Sequence, residues 1–277
     1  DGVTEVTLLG QNVNSYGRDL QVARRREGED VALRPLFAEL LAAVGSVPGI
    51  RRVRFTSPHP KDMRTETFIA MAATPTVCEH LHYPLQSGSD RVLSWMHRGY
   101  TAEKYLDRLV EARRTIEDLA VSTDIIVGFP GETEADFVRT LEVAAAAEYD
   151  YAYTFIFSPR EGTEAALMVE RFVEPAVIAE RFARLRPVVE RAALRKHQAR
   201  IGRCEEVVVE GPSKKDPELV SARTRQNKLV HFPCASPIRS GSYAMVEITA
   251  AAPHHLTGEL REVLAGPAHR VRIPVSS

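Results

Sequence analysis

Polar side chains follow two apolar segments of this chain at points where they could hold a small ligand. Gln11 and Asn12 come directly after residues 5–9, and Gln86 and Ser87 come directly after residues 80–85. Amide groups supply both hydrogen-bond donors and acceptors, which suits a zwitterionic amino-acid group. An ordinary polar loop is the alternative for the first motif. Helix capping is the alternative for the second, because Ser87 and Asp90 have the capping spacing.

A third segment, residues 123–133, combines a buried strand with a glycine-containing turn. Its sequence is Thr-Asp-Ile-Ile-Val-Gly-Phe-Pro-Gly-Glu-Thr, and Thr133 with Asp136 has the spacing of a capping box. Glycine permits close approach of the backbone to a ligand. A strand, a tight turn and a helix N-terminus in this order are where α/β proteins bind ligands. A well-capped helix without a ligand is the alternative.

Two histidines and three cysteines are the candidate metal ligands. His80 and His82 face one side of a strand because their spacing is i, i+2, but the sequence shows no third partner beside them. The three cysteines, Cys78, Cys204 and Cys234, are far apart and form neither a disulfide framework nor a C-x-x-C pattern. We therefore expect no metal to be bound by this chain.

These side chains must be positioned by a sheet whose strands alternate with helices. Strands are predicted at 5–9, 53–57, 80–85, 122–129 and 151–157. Helices are predicted at 36–44, 62–73, 89–96, 101–117 and 133–148, and residues 18–31 are expected to be a solvated loop. This alternation implies βαβ units, a parallel sheet and the α/β class.

The composition changes after a long charged helix predicted at 174–200, which contains Pro187 as a kink. From Gly202 the chain has short β runs at 205–210, 219–222, 228–232 and 243–250, separated by turn residues. This spacing predicts a small β-barrel. The expected domains are 1–198, which includes the connecting helix, 199–263 for the barrel, and 264–277 for a tail.

Composition excludes some partners. The net charge of the 277 residues is −1 and the pI is about 6.8, so any contact with nucleic acid must come from a local patch. No apolar run approaches the roughly 18–20 residues that cross a bilayer. We expect a cytoplasmic monomer. The chain starts at Asp1 and reaches strand-like sequence at once, which is typical of the middle of a larger protein.

Five motifs in this order together resemble the radical-SAM methylthiotransferases, specifically the type that modifies tRNA. They are LLGQNVNSYG (8–17), FTSPHPKD (55–62), HLHYPLQSGSDRVLSWMHRGY (80–100), TDIIVGFPGET (123–133) and FSPREGTEA (157–165). SARTRQNKLVHF (221–232) resembles the core of a TRAM domain, a small RNA-binding barrel. The implied fold is α/β: a partial (β/α) radical-SAM barrel lacking its first strand, followed by a small TRAM β-barrel.

The resemblance implies S-adenosyl-L-methionine and two 4Fe-4S clusters as cofactors of the intact enzyme. Gln11 and Asn12 would lie near the methionyl group, Gln86 and Ser87 near the ribose, and the backbone of 126–128 near the adenine. The cofactor-binding residues implied are Gln11, Asn12, Gln86, Ser87, Ile126, Val127, Gly128 and Arg160. The C-x3-C-x2-C cluster motif is absent, so we expect a fragment that binds no cluster and is inactive alone. No catalytic acid or base is identified.

The implied reaction is radical addition of a methylthio group to isopentenyl-adenosine beside the anticodon of tRNA. Six basic residues are expected to contact RNA phosphates: Lys214, Lys215, Arg223, Arg225, Lys228 and Arg239. A solvated basic face is the alternative. Alternative functions are methylthiolation of a ribosomal-protein side chain or of threonylcarbamoyl-adenosine in tRNA, a non-catalytic RNA-binding module, and an unrelated phosphate-binding (β/α) barrel enzyme.

Overall fold

A computed structural model of the protein describes residues 2–234 and 236–267. The first part of the chain alternates strands with helices. The strands are β1 (Glu5–Leu8), β2 (Arg52–Phe55), β3 (His80–His82), β4 (Ala120–Val127) and β5 (Tyr151–Ile156). The helices are α1 (Arg18–Arg26), α2 (Phe37–Gly45), α3 (Thr65–Ala73), α4 (Asp90–Trp95), α5 (Ala102–Thr115), α6 (Glu134–Ala147), α7 (Glu164–Leu167) and α8 (Pro175–Gln198).

The strands form two parallel sheets rather than one continuous sheet. β1 pairs with β2, and β3, β4 and β5 pair in that order. A single parallel bridge joins Val53 on β2 to Val77, which precedes β3, and so connects the two sheets. The parallel α/β architecture predicted from the strand–helix alternation is confirmed.

Alternation along the strands gives the three-stranded sheet an apolar face and a polar face. Leu81, Val121 and Ile125 are fully buried in the core, with the helices packed against them. Their neighbours His82, Ser122 and Asp124 point to the other face. We call this second surface the polar face. It continues onto β5, where Tyr153 lies opposite Asp124.

Two predictions about elements are wrong. Residues 18–31 are not a loop throughout, because 18–26 form α1, which is rich in good helix formers. β3 ends at His82 and not at residue 85, because Pro84 has no N–H to continue the ladder. Beyond that proline, only an isolated bridge joins Gln86 to Ile125.

The last part of the described chain is a closed five-stranded barrel. Its strands are β6 (Cys204–Pro212), β7 (Leu219–Thr224), β8 (Leu229–Pro233), β9 (Tyr243–Ala251) and β10 (Leu256–Ala265), in the spatial order β10-β8-β7-β6-β9. β10 was not predicted, and it includes residues 264 and 265 that were expected to be tail. Residues 268–277 of the predicted tail lie outside the described residues.

The barrel is joined to the α/β part by buried side chains as well as by α8. The Arg52 side chain is fully buried and donates to Glu206 and to the carbonyl of Arg223, at 2.8 and 3.0 Å. Arg54 donates to the carbonyls of Thr224 and Arg225 at 2.8 Å each. Within the described residues, no helix is both long enough and apolar enough to cross a membrane.

Candidate functional site

A cavity of about 970 Å³ lies at the C-terminal ends of the strands of the polar face. Its apolar wall consists of Ile126, Phe129, Phe155, Ile156 and Phe157. Its polar and charged wall includes Gln86, Asp124, Arg98, Arg160 and Arg171. We call it the main cavity. Its position agrees with the rule that parallel sheets bind ligands at the carboxyl ends of their strands.

Gln86 is held at the edge of this cavity by its backbone. Its φ is +65°, a left-handed conformation that side-chain-bearing residues rarely adopt. Its N–H donates to the Asp124 carbonyl at 2.8 Å, and its carbonyl accepts from the Ile126 N–H at 2.9 Å. These two bonds tie the segment after β3 to β4 and fix where the Gln86 side chain starts.

The turn after β4 needs glycine at position 128. Gly128 has a φ of +79°, and a Cβ there would lie 2.7 Å from Ile178 on α8. Its N–H donates to Glu132 Oε2 at 2.9 Å, and the same oxygen accepts from Arg181 Nη1 at 3.0 Å. Burial raises the pKa of Glu132, and Arg181 opposes that effect. This buried pair clamps the turn to the long helix.

The helix that follows the turn begins with the predicted capping box. Thr133 Oγ1 accepts from the Asp136 N–H, and the Asp136 carboxylate accepts from the Thr133 N–H at 2.8 Å. Ser89 and Arg91 also donate to Asp136. Burial would raise the pKa of Asp136, but these hydrogen bonds outweigh it and hold the pKa well below the usual range. The capped carboxylate thus joins the beginnings of α4 and α6.

Three of the eight sequence-predicted cofactor residues line the main cavity: Gln86, Ile126 and Arg160. Gly128 lies in the adjoining turn, but its N–H is already bonded to Glu132. Ser87 and Val127 are fully buried, and neither lines the main cavity. Ser87 is bonded within its own loop and to Thr140, whereas Val127 alternates with Ile126 and faces the core.

Gln11 and Asn12 do not line the main cavity either. Both residues lie in the turn after β1. Gln11 is exposed, and Asn12 donates to the Asp62 carboxylate at 2.6 Å. Ser15 donates to the same carboxylate at 3.1 Å. The Asn12 Oδ1 atom is buried and accepts no hydrogen bond from the described residues. A buried acceptor left open in this way is suited to a donor group of a ligand.

The sequence prediction missed four charged residues of the main cavity: Arg98, Asp124, Glu164 and Arg171. Asp124 is the one charged residue of β4, and a charge in a mostly buried strand is a signal that could have identified it. Arg98 follows α4, and its Nε is buried without a hydrogen-bond partner among the described residues. An arginine nitrogen in this state can donate to an anionic or polar ligand group. No spacing in the sequence indicates that Arg98 turns toward the cavity.

The histidine pair is used in a hydrogen-bonded chain. His80 Nε2 and His82 Nδ1 each lie 3.0 Å from Ser122 Oγ, and His82 Nε2 lies 3.3 Å from Asp124. Burial lowers the pKa of His80 to about 3, which keeps it neutral. Within residues 2–234 and 236–267, no three His, Cys, Asp or Glu side chains are grouped closely enough to hold a metal ion.

The structure separates the six predicted RNA-binding residues into two groups. Lys214, Lys215 and Arg239 are exposed on the barrel. Lys228 is buried and donates to Asp150 at 2.6 Å, and Arg225 is paired with Glu79 at 2.6 Å. These two predictions need correction, because both cations neutralise carboxylates of the α/β part and are not free for phosphate.

Arg223 has an intermediate position. Its Nε donates to Glu210 at 3.1 Å and its Nη1 donates to the Asn227 carbonyl at 3.1 Å, while 36% of its side chain stays exposed. It therefore retains access to a ligand, although the nearby carboxylate offsets part of its charge.

Known proteins share both parts of this chain. A sequence model described as the Radical SAM superfamily matches residues 1–144, more than half of the 277 residues, and one described as the TRAM domain matches residues 198–260. A solved structure of coproporphyrinogen III oxidase (HemN) from Escherichia coli, described as a radical SAM enzyme, aligns at a TM-score of 0.47 and 12% identity. That alignment covers 77% of this chain and 52% of the other.

Curated relatives are similar over nearly the whole chain. A protein of Acidothermus cellulolyticus named tRNA-2-methylthio-N(6)-dimethylallyladenosine synthase is 50% identical over 98% of this chain and 54% of its own length. A protein of the same name from Moorella thermoacetica is 47% identical over 94% of this chain and 55% of its own length. The chain thus spans about half the length of the curated relatives it matches. It belongs to the radical SAM superfamily and carries a TRAM domain after the radical SAM part.

Proposed function

We propose that this chain is the radical SAM and TRAM part of a tRNA methylthiotransferase. In this proposal the whole enzyme adds a methylthio group to isopentenyl-adenosine beside the anticodon. The observation that carries it is the main cavity, whose apolar wall, carboxylate and arginines suit an adenosine compound with an amino-acid end. The names of the two relatives favour this substrate over a ribosomal-protein side chain or threonylcarbamoyl-adenosine.

The residues of the main cavity fit S-adenosylmethionine. Ile126 and Phe155 offer an apolar surface for the adenine, and Asp124 and Gln86 offer acceptors for ribose hydroxyls. The open Nε of Arg98 suits the carboxylate of the methionyl group. When bound, S-adenosylmethionine supplies the radical and the methyl group in this family's chemistry. The protein's own part is to hold the adenosine against the polar face and to exclude water.

The residues present do not fit a 4Fe-4S cluster. Cys78 is buried, Cys204 is exposed on the barrel, and Cys234 directly follows β8, so they do not form a common ligand set. We derive no step of the reaction through a cluster held by the described residues. In the proposed enzyme, cluster ligands come from the part of the relatives' length that this chain does not span.

The TRAM barrel is the proposed site of tRNA contact. Lys214, Lys215 and Arg239 are exposed there and can meet phosphates. Because tRNA modification takes place where tRNA is present, we place the protein in the cytoplasm. We expect the enzyme to act as a monomer.

A chimeric enzyme tests this function. The part of the Moorella thermoacetica relative that this chain does not match would be joined to this chain and expressed in a bacterial strain without methylthiotransferase activity. Mass spectrometry of hydrolysed tRNA should then detect methylthio-isopentenyl-adenosine.

Replacing Arg98 by Met should weaken S-adenosylmethionine binding, measured by calorimetry, by at least about tenfold, because a charge-assisted bond contributes about 1.5–3 kcal/mol. A chimera that binds S-adenosylmethionine and tRNA but modifies another nucleoside would contradict the proposed substrate.

A further inference from the structure

A second cavity, of about 330 Å³, lies where the polar face meets the TRAM barrel. Its floor consists of Ser122, Asp150, Lys228 and His197, and the turn between β7 and β8 covers it from the barrel side. The floor ion pair of Lys228 and Asp150 is closed, with 2.6 Å between the charged atoms. The other walls of the cavity carry side chains that take no part in this ion pair.

One wall of the second cavity is aromatic. Tyr151 and Tyr153 meet edge to face with their ring centroids 4.7 Å apart, and Tyr151 is 5.9 Å from His254. The Tyr153 residue is 45% exposed, and the His254 side chain is 57% exposed. Exposed rings of this kind, clustered beside a cavity, provide a surface on which a planar group can stack.

The opposite wall is polar and comes from the barrel. Gln226 is only 8% exposed, and its Nε2 donates to Asp118 at 3.0 Å. Its Oε1 is buried and accepts no hydrogen bond from the described residues. Asn227 adopts a left-handed backbone conformation, with φ +62°, at the tip of the turn, and Arg223 lies beside it. The cavity therefore has an open acceptor and a partly exposed cation facing aromatic rings.

The polar face connects this cavity with the main cavity. Strand pairing sets Ser122 beside Tyr151, Asp124 beside Tyr153, and Ile126 beside Phe155. The first of these pairs lines the second cavity, and the last lines the main cavity. Ile126 is four positions after Ser122 on β4, which corresponds to about 13 Å at the usual strand rise. Successive aromatic residues of β5 thus lead from one cavity to the other.

We propose that the second cavity binds an unpaired nucleotide of the RNA whose target nucleotide is brought to the S-adenosylmethionine site of the main cavity. The inference rests on the proposed function and adds a second base site to it. Proteins bind unpaired bases by stacking them on aromatic rings and by hydrogen bonding to their edges with amides. Tyr153 and His254 supply the rings, the Gln226 Oε1 accepts from a base amino group, and Arg223 meets the backbone.

Fluorescence of a labelled RNA tests this site. An anticodon stem-loop containing isopentenyl-adenosine would carry 2-aminopurine at one loop position at a time and be titrated with the 277-residue chain. One labelled position close to the target should be strongly quenched. Tyr153→Ala should abolish that quenching and weaken binding about 5- to 100-fold, the range for loss of one base–aromatic stack. Tyr153→Phe, which keeps the ring, should restore both.

A neighbouring histidine provides the matched control. His254→Ala should weaken binding and quenching, whereas His255→Ala should not, because His255 packs against His231 and does not line the second cavity. The thermal midpoint reported by Trp95 fluorescence should be the same for all variants, which shows that Tyr153→Ala folds.

The outcomes separate this site from the proposed function. If the wild-type chain binds the stem-loop but no labelled position depends on Tyr153, the second base site is disproved while RNA binding stands. If the wild-type chain does not bind the stem-loop at all, both the proposed RNA substrate and the second site are overturned. Equal losses in His254→Ala and His255→Ala would also overturn the site, since only one of them lines it.

Discussion

At the scale of single residues, the basic side chains of the TRAM barrel differ in whether they are free to contact a ligand. Lys228 and Lys214 belong to the same barrel, but the first is buried against Asp150 and the second is exposed. The partners of the buried cations lie some 80 to 150 positions away in sequence. Charge can be predicted from the sequence, whereas pairing depends on how the two parts of the chain meet.

The exposed cations lead to a prediction about salt. Replacing Lys214, Lys215 and Arg239 together by Gln should reduce the slope of log affinity for tRNA against log salt concentration. Each phosphate contact contributes roughly 0.7–0.9 to that slope, so three contacts contribute about 2–3. Fluorescence anisotropy across a salt series measures it.

A control with the same change of charge distinguishes a specific patch from the overall charge. Arg24, Arg25 and Arg26 are exposed on α1, outside the barrel. Their replacement by Gln should leave the slope unchanged. An equal reduction in both triple variants would mean that Lys214, Lys215 and Arg239 form only a solvated basic face.

At the scale of elements, the sequence predicted those with strong periodic patterns. β4 was identified from its run of apolar and β-branched residues before a glycine turn, and α5 was identified from its apolar stripe. β10 was missed because most of its residues are exposed and its pairing with β9 holds it in place. α1 was missed because it buries only Gln21 and reads as a charged loop. Long-range pairing with β9 supplies what β10 lacks in pattern, whereas α1 forms through its local helix propensity.

The residues of the main cavity also divide into those that the sequence predicted and those that it did not. Gln86 and Ile126, which the sequence placed together because both occur where strands end, line this cavity, and their cofactor role stays a prediction. Ser87, which was expected to project at the rim, is buried instead, because neighbouring residues point in different directions. The prediction for Val127 concerned its backbone, and its side chain faces the core. Arg98 and Asp124 do not follow the end of a strand in the sequence. They reach the cavity through tertiary packing.

The end of α8 leads to a prediction about pH. His197 is 3% exposed, and its Nδ1 lies 2.7 Å from the Ala252 carbonyl. Burial, with Lys228 nearby, lowers its pKa to about 4, while Asp150 acts in the opposite direction. The unfolded chain protonates this imidazole near pH 6.5. Between those values the unfolded state binds more protons, so the free energy of unfolding falls as the pH is lowered from about 6.5 towards 4.

Urea denaturation of His197→Gln measures this effect, because Gln can still donate to the carbonyl but does not titrate. From pH 7 to pH 5 the wild type should lose about 2 kcal/mol more than the variant, at up to about 1.4 kcal/mol per pH unit below 6.5. His97→Gln is the control, since 75% of the His97 side chain is exposed. A pH dependence identical in His197→Gln and wild type would contradict the assignment.

At the scale of the whole molecule, the contacts between the two parts are polar and buried. Arg52, Arg54 and Arg225 donate across the boundary to main-chain carbonyls. Arg52 and Arg225 also donate across it to the carboxylates of Glu206 and Glu79. Arg200 joins Asp118 to Glu205 in the same region. Main-chain acceptors require the strands and turns on both sides to be in place. We therefore expect the radical SAM part and the TRAM barrel to unfold as one cooperative unit.

Lys228→Met tests this coupling. The substitution removes the cation but keeps a side chain of similar length, so it leaves the buried Asp150 carboxylate without its charged partner. Breaking a buried pair in this way costs about 3–5 kcal/mol. The chain's single tryptophan, Trp95 on α4, reports on the radical SAM part, and hydrogen exchange at β7–β9 reports on the barrel. In one cooperative unit both midpoints should fall together, because coincident probes indicate a two-state transition.

Lys214→Met, which removes an exposed lysine from the same barrel, should move neither midpoint. If Lys228→Met lowers only the barrel's midpoint while the Trp95 transition stays in place, the two parts unfold independently, and the buried ion pairs orient them without coupling their stability.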